Sequence, residues 1–232
     1  GELDLDFSGN ELHLRDAFIR YFYKKGFIKL GNHKEPFSLE RTTTSRYITF
    51  IERPMMTELA PSRHIGISAN KHGDHFFAQG GLFFNKINND DIREQNEDYG
   101  TDEGYSLTGR VAWMPVQEQQ KLIHLAVAGS FRKPKRPEKG NPQKSFRYAT
   151  RAETFINRKK YIDTDFILES KSSTLLGLEL AAMHKNLKFT SEYARQDYQR
   201  KNGYENAGIF GWYAMAGWLL TGDNYAYSNI EG

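Results

Sequence analysis

Cationic side chains suited to binding anions are concentrated between positions 34 and 63. The segment contains four glutamates and a slightly larger set of cations: Lys34, Arg41, Arg46, Arg53 and Arg63. An arginine guanidinium can donate two parallel hydrogen bonds to phosphate, and a ring of cations in a narrow passage favours anions over cations. The pattern indicates an anion path, unless these arginines pair with the neighbouring glutamates on a solvated loop.

A second basic segment, residues 132–147, reads RKPKRPEKGNPQKSFR. It could concentrate anions at the mouth of a channel, or form a loop that contacts lipopolysaccharide phosphates or nothing at all. No nucleic-acid-binding motif accompanies it, so we expect no nucleic-acid partner.

The sequence lacks the motifs that are typical of catalytic and metal-binding sites. It has no cysteine, which excludes disulfides, thiolate metal sites and thiol nucleophiles. It also lacks a serine nucleophile elbow, a phosphate-binding glycine loop and a zinc-hydrolase helix. The histidines of residues 71–75 fall at a tight turn, and the acidic segment 88–102 lacks the spacing of a calcium loop. We therefore expect no enzyme activity, no catalytic residue, no metal and no cofactor.

Period-two alternation of apolar and polar residues dominates the chain and predicts antiparallel strands. Several strands are about ten residues long, which suits a tilted strand that crosses a membrane. Ten strands are expected near residues 3–7, 11–23, 26–33, 63–70, 75–84, 105–114, 121–131, 174–183, 187–197 and 210–220. The longest nearly apolar run, residues 208–220, is shorter than the roughly 20 residues of a membrane-spanning helix.

The connections between these strands alternate in length from residue 24 onward. Short connections alternate with longer ones in the order 24–25, 34–62, 71–74, 85–104, 115–120, 132–173, 184–186 and 198–209. Alternate connections of an up-and-down barrel lie on opposite rims, and outer-membrane barrels carry tight turns on one rim and large loops on the other. A soluble sandwich or lipocalin-like barrel has no reason to keep this parity. We predict an all-β, antiparallel, up-and-down transmembrane β-barrel with its three longest connections on one rim.

Strand alternation also identifies charges that belong inside such a barrel. If Ile28 and Leu30 face lipid, Lys29 faces the interior, and the same argument places Arg110 and Lys188 there. A charge that faces lipid near the middle of the bilayer costs roughly 2–4 kcal/mol. These three cations are further candidates for the anion path, or they balance nearby glutamates. Alternation alone does not say which face of the sheet points outward.

Residues 26–67 resemble a known family of proteins. The segments GFIKLGNHKEPFSLE (26–40), SRYITFIER (45–53) and LAPSRHIGI (59–67) resemble the strand, inward loop and next strand of the phosphate-selective porin O and P family. Residues 14–20 and 175–182 resemble other strands of that family, so the resemblance extends from the N-terminus to about residue 220.

The resemblance implies a sixteen-stranded homotrimeric barrel in the bacterial outer membrane, surrounded by its lipid, that passively conducts phosphate, polyphosphate or other small anions. Residues 1–232 would be an internal segment of about ten strands within a single barrel domain, and loop 34–62 would fold into the lumen as a basic constriction. The apolar residues Tyr47, Ile48, Phe50 and Ile51 would anchor this loop to the wall. Ten strands alone would leave two unpaired edges, so we expect the segment by itself not to form a closed channel.

Two other functions stay open at this point. One is a structural or accessory outer-membrane barrel of a larger assembly, whose lumen is plugged and which has no selective conductance. The other is a soluble β-barrel that binds a small ligand. A requirement for detergent distinguishes the soluble protein, and single-channel recording distinguishes the two membrane proteins.

Overall fold

The chain is built from β-strands, and ten of those described form one antiparallel sheet. A computed structural model describes residues 1–7, 12–84, 103–134, 144–151 and 159–228. The strands of the large sheet are β1 (Glu2–Asp6), β2 (His13–Tyr23), β3 (Gly26–Lys34), β4 (Arg63–His72), β5 (Phe76–Phe83), β6 (Glu103–Glu118), β7 (Lys121–Pro134), β12 (Ser170–His184), β13 (Leu187–Arg200) and β14 (Ala207–Trp218).

Smaller elements occupy two of the long connections. The β3–β4 connection contains helix α1 (Leu39–Thr42) and two 3-10 turns, Ser45–Tyr47 and Met55–Glu58. The β7–β12 connection contains two small hairpins, in which β8 (Lys144–Phe146) pairs with β11 (Ile167–Leu168) and β9 (Ala149–Arg151) pairs with β10 (Lys160–Asp163). The alternation pattern gave no sign of these hairpins, because their strands are only two to four residues long.

The large sheet follows the chain, since each strand pairs with the one before it and β12 takes the place next to β7. This confirms the ten predicted strands and their antiparallel order. The β6–β7 hairpin is longer than predicted, because a bulge between Trp113 and Val116 absorbs Pro115 and the ladder then continues to Glu118. Proline has no N–H to donate, so a bulge is where a ladder tolerates it. Within the described residues β1 and β14 each have one neighbouring strand.

The tight turns lie together at one rim of the sheet. Because the strands alternate in direction, the turns after β2, β4, β6 and β12 share this rim, and the three long connections leave from the opposite one. This agrees with the parity of connection lengths. Backbone hydrogen bonds tie the turns to one another, as in His72 N to Lys25 O at 3.0 Å and Lys185 N to Gln120 O at 2.7 Å.

The two faces of the sheet have the polarity of a membrane barrel. On β6 the apolar side chain of Leu107 is 52% exposed, while the charged side chain of Arg110 is 1% exposed. The same holds across the sheet: the outward face exposes mainly apolar and aromatic side chains, and the inner face buries mainly polar, charged and small ones. A soluble barrel would show the reverse, so this arrangement excludes a soluble ligand-binding barrel. Separately, none of the described helices is long and apolar enough to cross a membrane.

We expect the outward face to reject charge according to depth. Val127 in the middle of β7 and Leu187 at the first residue of β13 are almost equally exposed, at 47% and 49%. Val127→Lys should lower the free energy of unfolding from lipid vesicles by about 2–4 kcal/mol, whereas Leu187→Lys, near the rim, should cost about 0–1 kcal/mol. Urea titrations measure both values. Equal costs would mean that this face does not meet the hydrocarbon layer.

Candidate functional site

The β3–β4 connection, residues 35–62, lies across the inner face of the sheet; we call it the inner loop. Four of its apolar side chains are buried against residues of four strands of the wall. The loop contributes Phe37, Met56, Leu59 and Ala60, and the wall contributes Ala128, Leu175, Ala194, Tyr213 and Met215. The loop therefore starts at β3 and packs against strands that follow it by more than 60 residues in sequence.

Two glycines of the wall make room for this packing. A side chain at Gly177 on β12 would place its Cβ 2.7 Å from the Phe37 ring, and one at Gly211 on β14 would come within 3.2 Å of Met56. The first distance is too short for any real contact. These glycines are thus recesses in the wall into which the loop's apolar side chains fit.

A buried carboxylate fixes the first residue of the inner loop. Glu35 is fully buried and accepts hydrogen bonds from Arg132 Nη2 at 2.8 Å, from Ser106 Oγ at 3.1 Å and from the Thr108 hydroxyl, while His64 Nδ1 lies 2.8 Å away. Burial alone would raise the pKa of the Glu35 carboxyl. The charge of Arg132 and the adjacent His64 side chain outweigh burial and hold that pKa well below its usual range.

A second carboxylate holds helix α1 against the wall. Glu192 on β13 accepts hydrogen bonds from the backbone N–H groups of Leu39 at 3.1 Å and Glu40 at 2.7 Å, and from the Tyr213 hydroxyl at 2.6 Å. The first N–H groups of a helix have no partner within it, so the Glu192 carboxylate satisfies donors that would otherwise be buried alone.

Arg53 links two separate parts of the inner loop through hydrogen bonds. Its guanidinium donates to the backbone carbonyls of Glu40 and Thr43, and its Nη1 lies 3.7 Å from the Glu40 carboxylate. Burial lowers the pKa of Arg53 and raises the pKa of the Glu40 carboxyl, and each partner's charge opposes the other's shift. Arg53 therefore shapes the loop as well as adding charge.

Four of the predicted cations come together where the inner loop meets β3 and β4; we call Lys34, Arg41, Arg53 and Arg63 the basic cluster. Lys34 Nζ donates to the Arg41 carbonyl at 2.9 Å, and the charges of the other three side chains act on Lys34. Two of the four have acidic partners: Arg63 pairs with Asp16 at 2.7 Å, and Arg53 lies near Glu40. Among the described residues, no carboxylate lies within ion-pair distance of Lys34 or Arg41. The cluster therefore keeps an excess of positive charge.

The other predicted cations lie apart from this cluster. Arg46 is exposed on the inner loop. The strand cations Lys29 and Arg110 are buried on the inner face, as alternation predicted, and Lys188 is half-buried there with its Nζ 5.1 Å from the centre of the Tyr225 ring. Lys29 lies over the rings of Phe18 and Phe27.

Arg110 is neutralised by a glutamate, which is the second of the two roles that the sequence left open for it. Its Nε and Nη2 donate to the Glu179 carboxylate at 2.9 and 2.6 Å, and both side chains are buried. His124 Nε2 lies 3.3 Å from the same carboxylate. Alternation along their own strands places both Glu179 and Arg110 on the inner face. Whether the two side chains come into contact depends on the order of β6, β7 and β12 in the sheet.

The predicted anchor of the inner loop was wrong. Tyr47 and Phe50 are largely exposed and Ile51 is 99% exposed, while Ile48 is half-buried. The loop is instead anchored by Phe37, Met56, Leu59 and Ala60, which flank the segment expected to do so. The recesses at Gly177 and Gly211 were the available signal, because glycine inside a strand often marks a close approach of another part of the chain.

Two other expectations involve residues outside the described ranges. The acidic segment 88–102 and the cations Lys135 and Arg136 of the basic segment fall there. The described part of the β7–β12 connection does approach the inner loop: Tyr148 packs on the same apolar cluster, and its hydroxyl donates to Gln196 Oε1 at 2.6 Å.

The packing of Phe37 into the recess at Gly177 can be tested by replacing the glycine with a larger residue. Gly177→Val should displace Phe37, loosen the inner loop and raise the rate of trypsin cleavage after Arg41 and Arg46 several-fold, whereas the bond after Arg53 resists trypsin because Pro54 follows it. Gly129→Val is the matched control, because a Cβ at Gly129, on the outward face of β7, would meet nothing closer than 3.9 Å. Mass spectrometry of the fragments identifies the cleaved bonds, and equal cleavage of the two variants would contradict this packing.

The Glu35–Arg132 pair should show strong coupling in a double-mutant cycle. Glu35→Gln leaves a buried guanidinium without its charge partner and should cost about 3–5 kcal/mol of unfolding free energy, part of which Arg132→Met in the same chain should restore. Because the pKa of Glu35 is lowered on folding, its stabilisation exists above the ordinary carboxyl pKa of about 4 and is lost as the pH falls below it.

Urea unfolding in the neutral and the acidic range measures both effects. Glu118→Gln, at an exposed turn, is the control and should change neither stability nor its pH dependence appreciably. A small and additive effect of the two inner substitutions would show that the pair does not hold the loop.

Comparison with known proteins agrees with this architecture. The family described as "Phosphate-selective porin O and P" matches residues 2–231, which is essentially the whole chain. An uncharacterized protein of Caulobacter vibrioides is 29% identical over 231 residues, covering 97% of this chain and 45% of the relative. The chain thus spans less than half the length of that relative. With a family match of this extent and an antiparallel sheet that is apolar outside and charged inside, the chain belongs to the phosphate-selective porin O and P family, a family of outer-membrane channels.

Proposed function

We propose that this chain forms the selective part of a passive outer-membrane channel for small anions, with phosphate or polyphosphate as the favoured class. The observation that carries the proposal is the basic cluster, where Lys34 and Arg41 stand without a carboxylate partner in the described structure at the base of a loop packed on the inner face. The family supplies the coarser function of a phosphate-selective channel.

The electrostatics of the cluster suit an anion path. Asp16 and Glu40 offset two of its four cations, so about two positive charges are left in a partly buried environment. At a distance of about 8 Å and an effective dielectric constant of about 40, one charge contributes roughly 1 kcal/mol to the energy of a passing ion. Two such charges favour an anion and disfavour a cation by that mechanism, and Arg41 adds a planar fork for phosphate.

The attachment of the inner loop supports its role as a constriction. Glu35 at its start, Glu192 at helix α1 and the glycine recesses of β12 and β14 all hold it across the inner face. A constriction must keep its charges in place while ions pass, and buried ion pairs and close packing provide that rigidity. We accordingly propose residues 34–62 as the constriction loop of a single barrel domain to which residues 1–232 contribute.

The remaining elements of the proposal rest on family membership. We propose a homotrimer in the bacterial outer membrane, where the exposed apolar face meets lipid. Contact between the basic segment 132–147 and lipopolysaccharide phosphates would suit the position of the β7–β12 connection on the long-loop rim. Lys29, Lys188 and Arg46 are secondary candidates along the anion path.

A second function has one observation in its favour. The inner face of β6, β7, β12 and β13 is extensively neutralised, as in the Arg110–Glu179 and Arg132–Glu35 pairs, and the inner loop covers much of it. A structural or accessory barrel with a plugged lumen would have these features too. Such a protein would give no selective single-channel current.

Removing the unpaired charges of the cluster tests the channel. The whole protein carrying Lys34→Gln and Arg41→Gln should lose anion selectivity in a salt gradient. The anion-to-cation permeability ratio should fall on the order of thirty-fold or more, because two charges at roughly 1 kcal/mol each change the energy of the anion alone by about 2 kcal/mol. Arg41→Lys should keep chloride selectivity but weaken the block of chloride current by phosphate, because it keeps the charge and loses the fork.

Lys171→Gln is the control, since this exposed lysine lies at a bulge near the start of β12, away from the basic cluster. It should leave the reversal potential unchanged. Unchanged selectivity in the Lys34/Arg41 double variant would remove the basic cluster from the mechanism, and absence of any unitary current in the wild type would favour the accessory barrel.

A further inference from the structure

Each of the four tight turns at the short rim carries at least one exposed lysine. We call this region, residues 23–26, 71–76, 118–121 and 184–187, the turn rim. Its charged side chains, apart from three histidines, are two carboxylates, Asp74 and Glu118, and five lysines, Lys24, Lys25, Lys71, Lys121 and Lys185. The rim therefore presents a row of positive charge that the basic cluster and the inner loop do not explain.

The two carboxylates do not cancel this charge. Lys25 lies 3.9 Å from Asp74, and Lys121 lies 3.4 Å from Glu118. All four side chains are more than half exposed, and exposed pairs of this kind are weak and screened by salt. Lys24, Lys71 and Lys185 have no acidic partner among the described residues. The rim is thus free to attract an anionic surface.

The lysines are held in a row at one height. The turns are hydrogen-bonded to their neighbours, through His72 N to Lys25 O and Lys185 N to Gln120 O. Lys71 and Lys121 begin on the outward face, because each is exposed in step with the apolar side chains of its own strand. A long lysine side chain in that position lays its methylenes on apolar surface and extends its amine towards water.

Aromatic side chains mark the level of the membrane interface just inside this row. Tyr21, Phe76, Trp113 and Trp218 are exposed on the outward face within a few residues of the turns. Such aromatic girdles lie at the headgroup level of membrane barrels. The amines of the turn rim then lie at the depth of lipid phosphates, where each lysine gains attraction to anionic lipid.

We infer that the turn rim binds the phosphate groups of anionic phospholipids in the leaflet that meets the short turns. The inference rests on the membrane placement of the proposed function, but it is independent of the ion path, because Lys71 and Lys121 start on the face opposite to the inner loop. An exit funnel for permeating anions is the alternative role for these lysines, and the two roles predict different defects.

The test compares two triple variants of the whole protein that remove the same charge from opposite rims. Lys71→Gln/Lys121→Gln/Lys185→Gln alters the turn rim. Lys159→Gln/Lys171→Gln/Lys201→Gln, all exposed on the long-loop rim and outside the basic segment 132–147, is the matched control. Each protein is reconstituted in phosphatidylcholine vesicles containing spin-labelled phosphatidylglycerol or spin-labelled phosphatidylcholine, and the fraction of immobilised lipid is measured.

Wild type and control should immobilise phosphatidylglycerol preferentially, and the preference should fall with added salt. The turn-rim variant should lose most of this preference for phosphatidylglycerol. Each lysine removed should weaken the association with phosphatidylglycerol by about five-fold. Equal preference in all three proteins, or equal loss in both variants, would overturn the inference. A shift of anion selectivity in the turn-rim variant with its lipid preference intact would overturn it as well and assign the lysines to the pore exit. Wild-type selectivity, recorded in the same preparations, reports separately on the proposed channel.

Discussion

The inability of hydrocarbon to solvate charge determines the rest of this structure. Strands that cross the membrane must satisfy their hydrogen bonds in the sheet and expose apolar side chains, so nearly all charges in mid-strand face inward. Arg110, Arg132, Glu179 and Glu192 are buried on the inner face for this reason. Once there, they must be paired or hydrogen-bonded, because a lone buried charge costs several kcal/mol. The interior is consequently a polar network, and the inner loop is held by it.

The charges of the interior divide into two kinds with different consequences. Arg110 and Arg132 each meet a carboxylate and are fixed, so they stabilise the wall and the start of the inner loop without offering an anion much attraction. Lys34 donates to a backbone carbonyl, and Arg41 has no carboxylate partner among the described residues. Both side chains therefore keep the electric field of their positive charge. Under the proposed function, the same residue types therefore serve packing or selectivity according to whether a carboxylate stands opposite. Sequence composition does not reveal this difference.

Local patterns predict the sheet well and the inner loop poorly. The ten strands, their order and the inward direction of Lys29, Arg110 and Lys188 follow from alternation and connection length, because these depend on residues close in sequence. Pro115 lengthened β6 through a bulge that alternation does not encode. The loop's anchors depend on distant partners: the Glu40 N–H and Glu192 are 152 positions apart. Tyr47, Phe50 and Ile51 resemble an anchor by composition, but the recesses of the wall lie opposite Phe37 and Met56.

The attachment points also explain where along the inner loop charge can act most strongly. Glu35, helix α1 and the residues around Met56 are fixed to the wall, whereas the segment between them exposes Arg46, Phe50 and Ile51. A charge on the exposed segment is surrounded by water and salt, which weaken its field within about 10 Å. Lys34 and Arg41 are half-buried next to the fixed ends, where the local dielectric constant is lower and their positions vary less. Anion selectivity is therefore expected to depend on the base of the inner loop. There the direct connection to β3 and β4 and the pairing of Glu35 with Arg132 hold the cations in place.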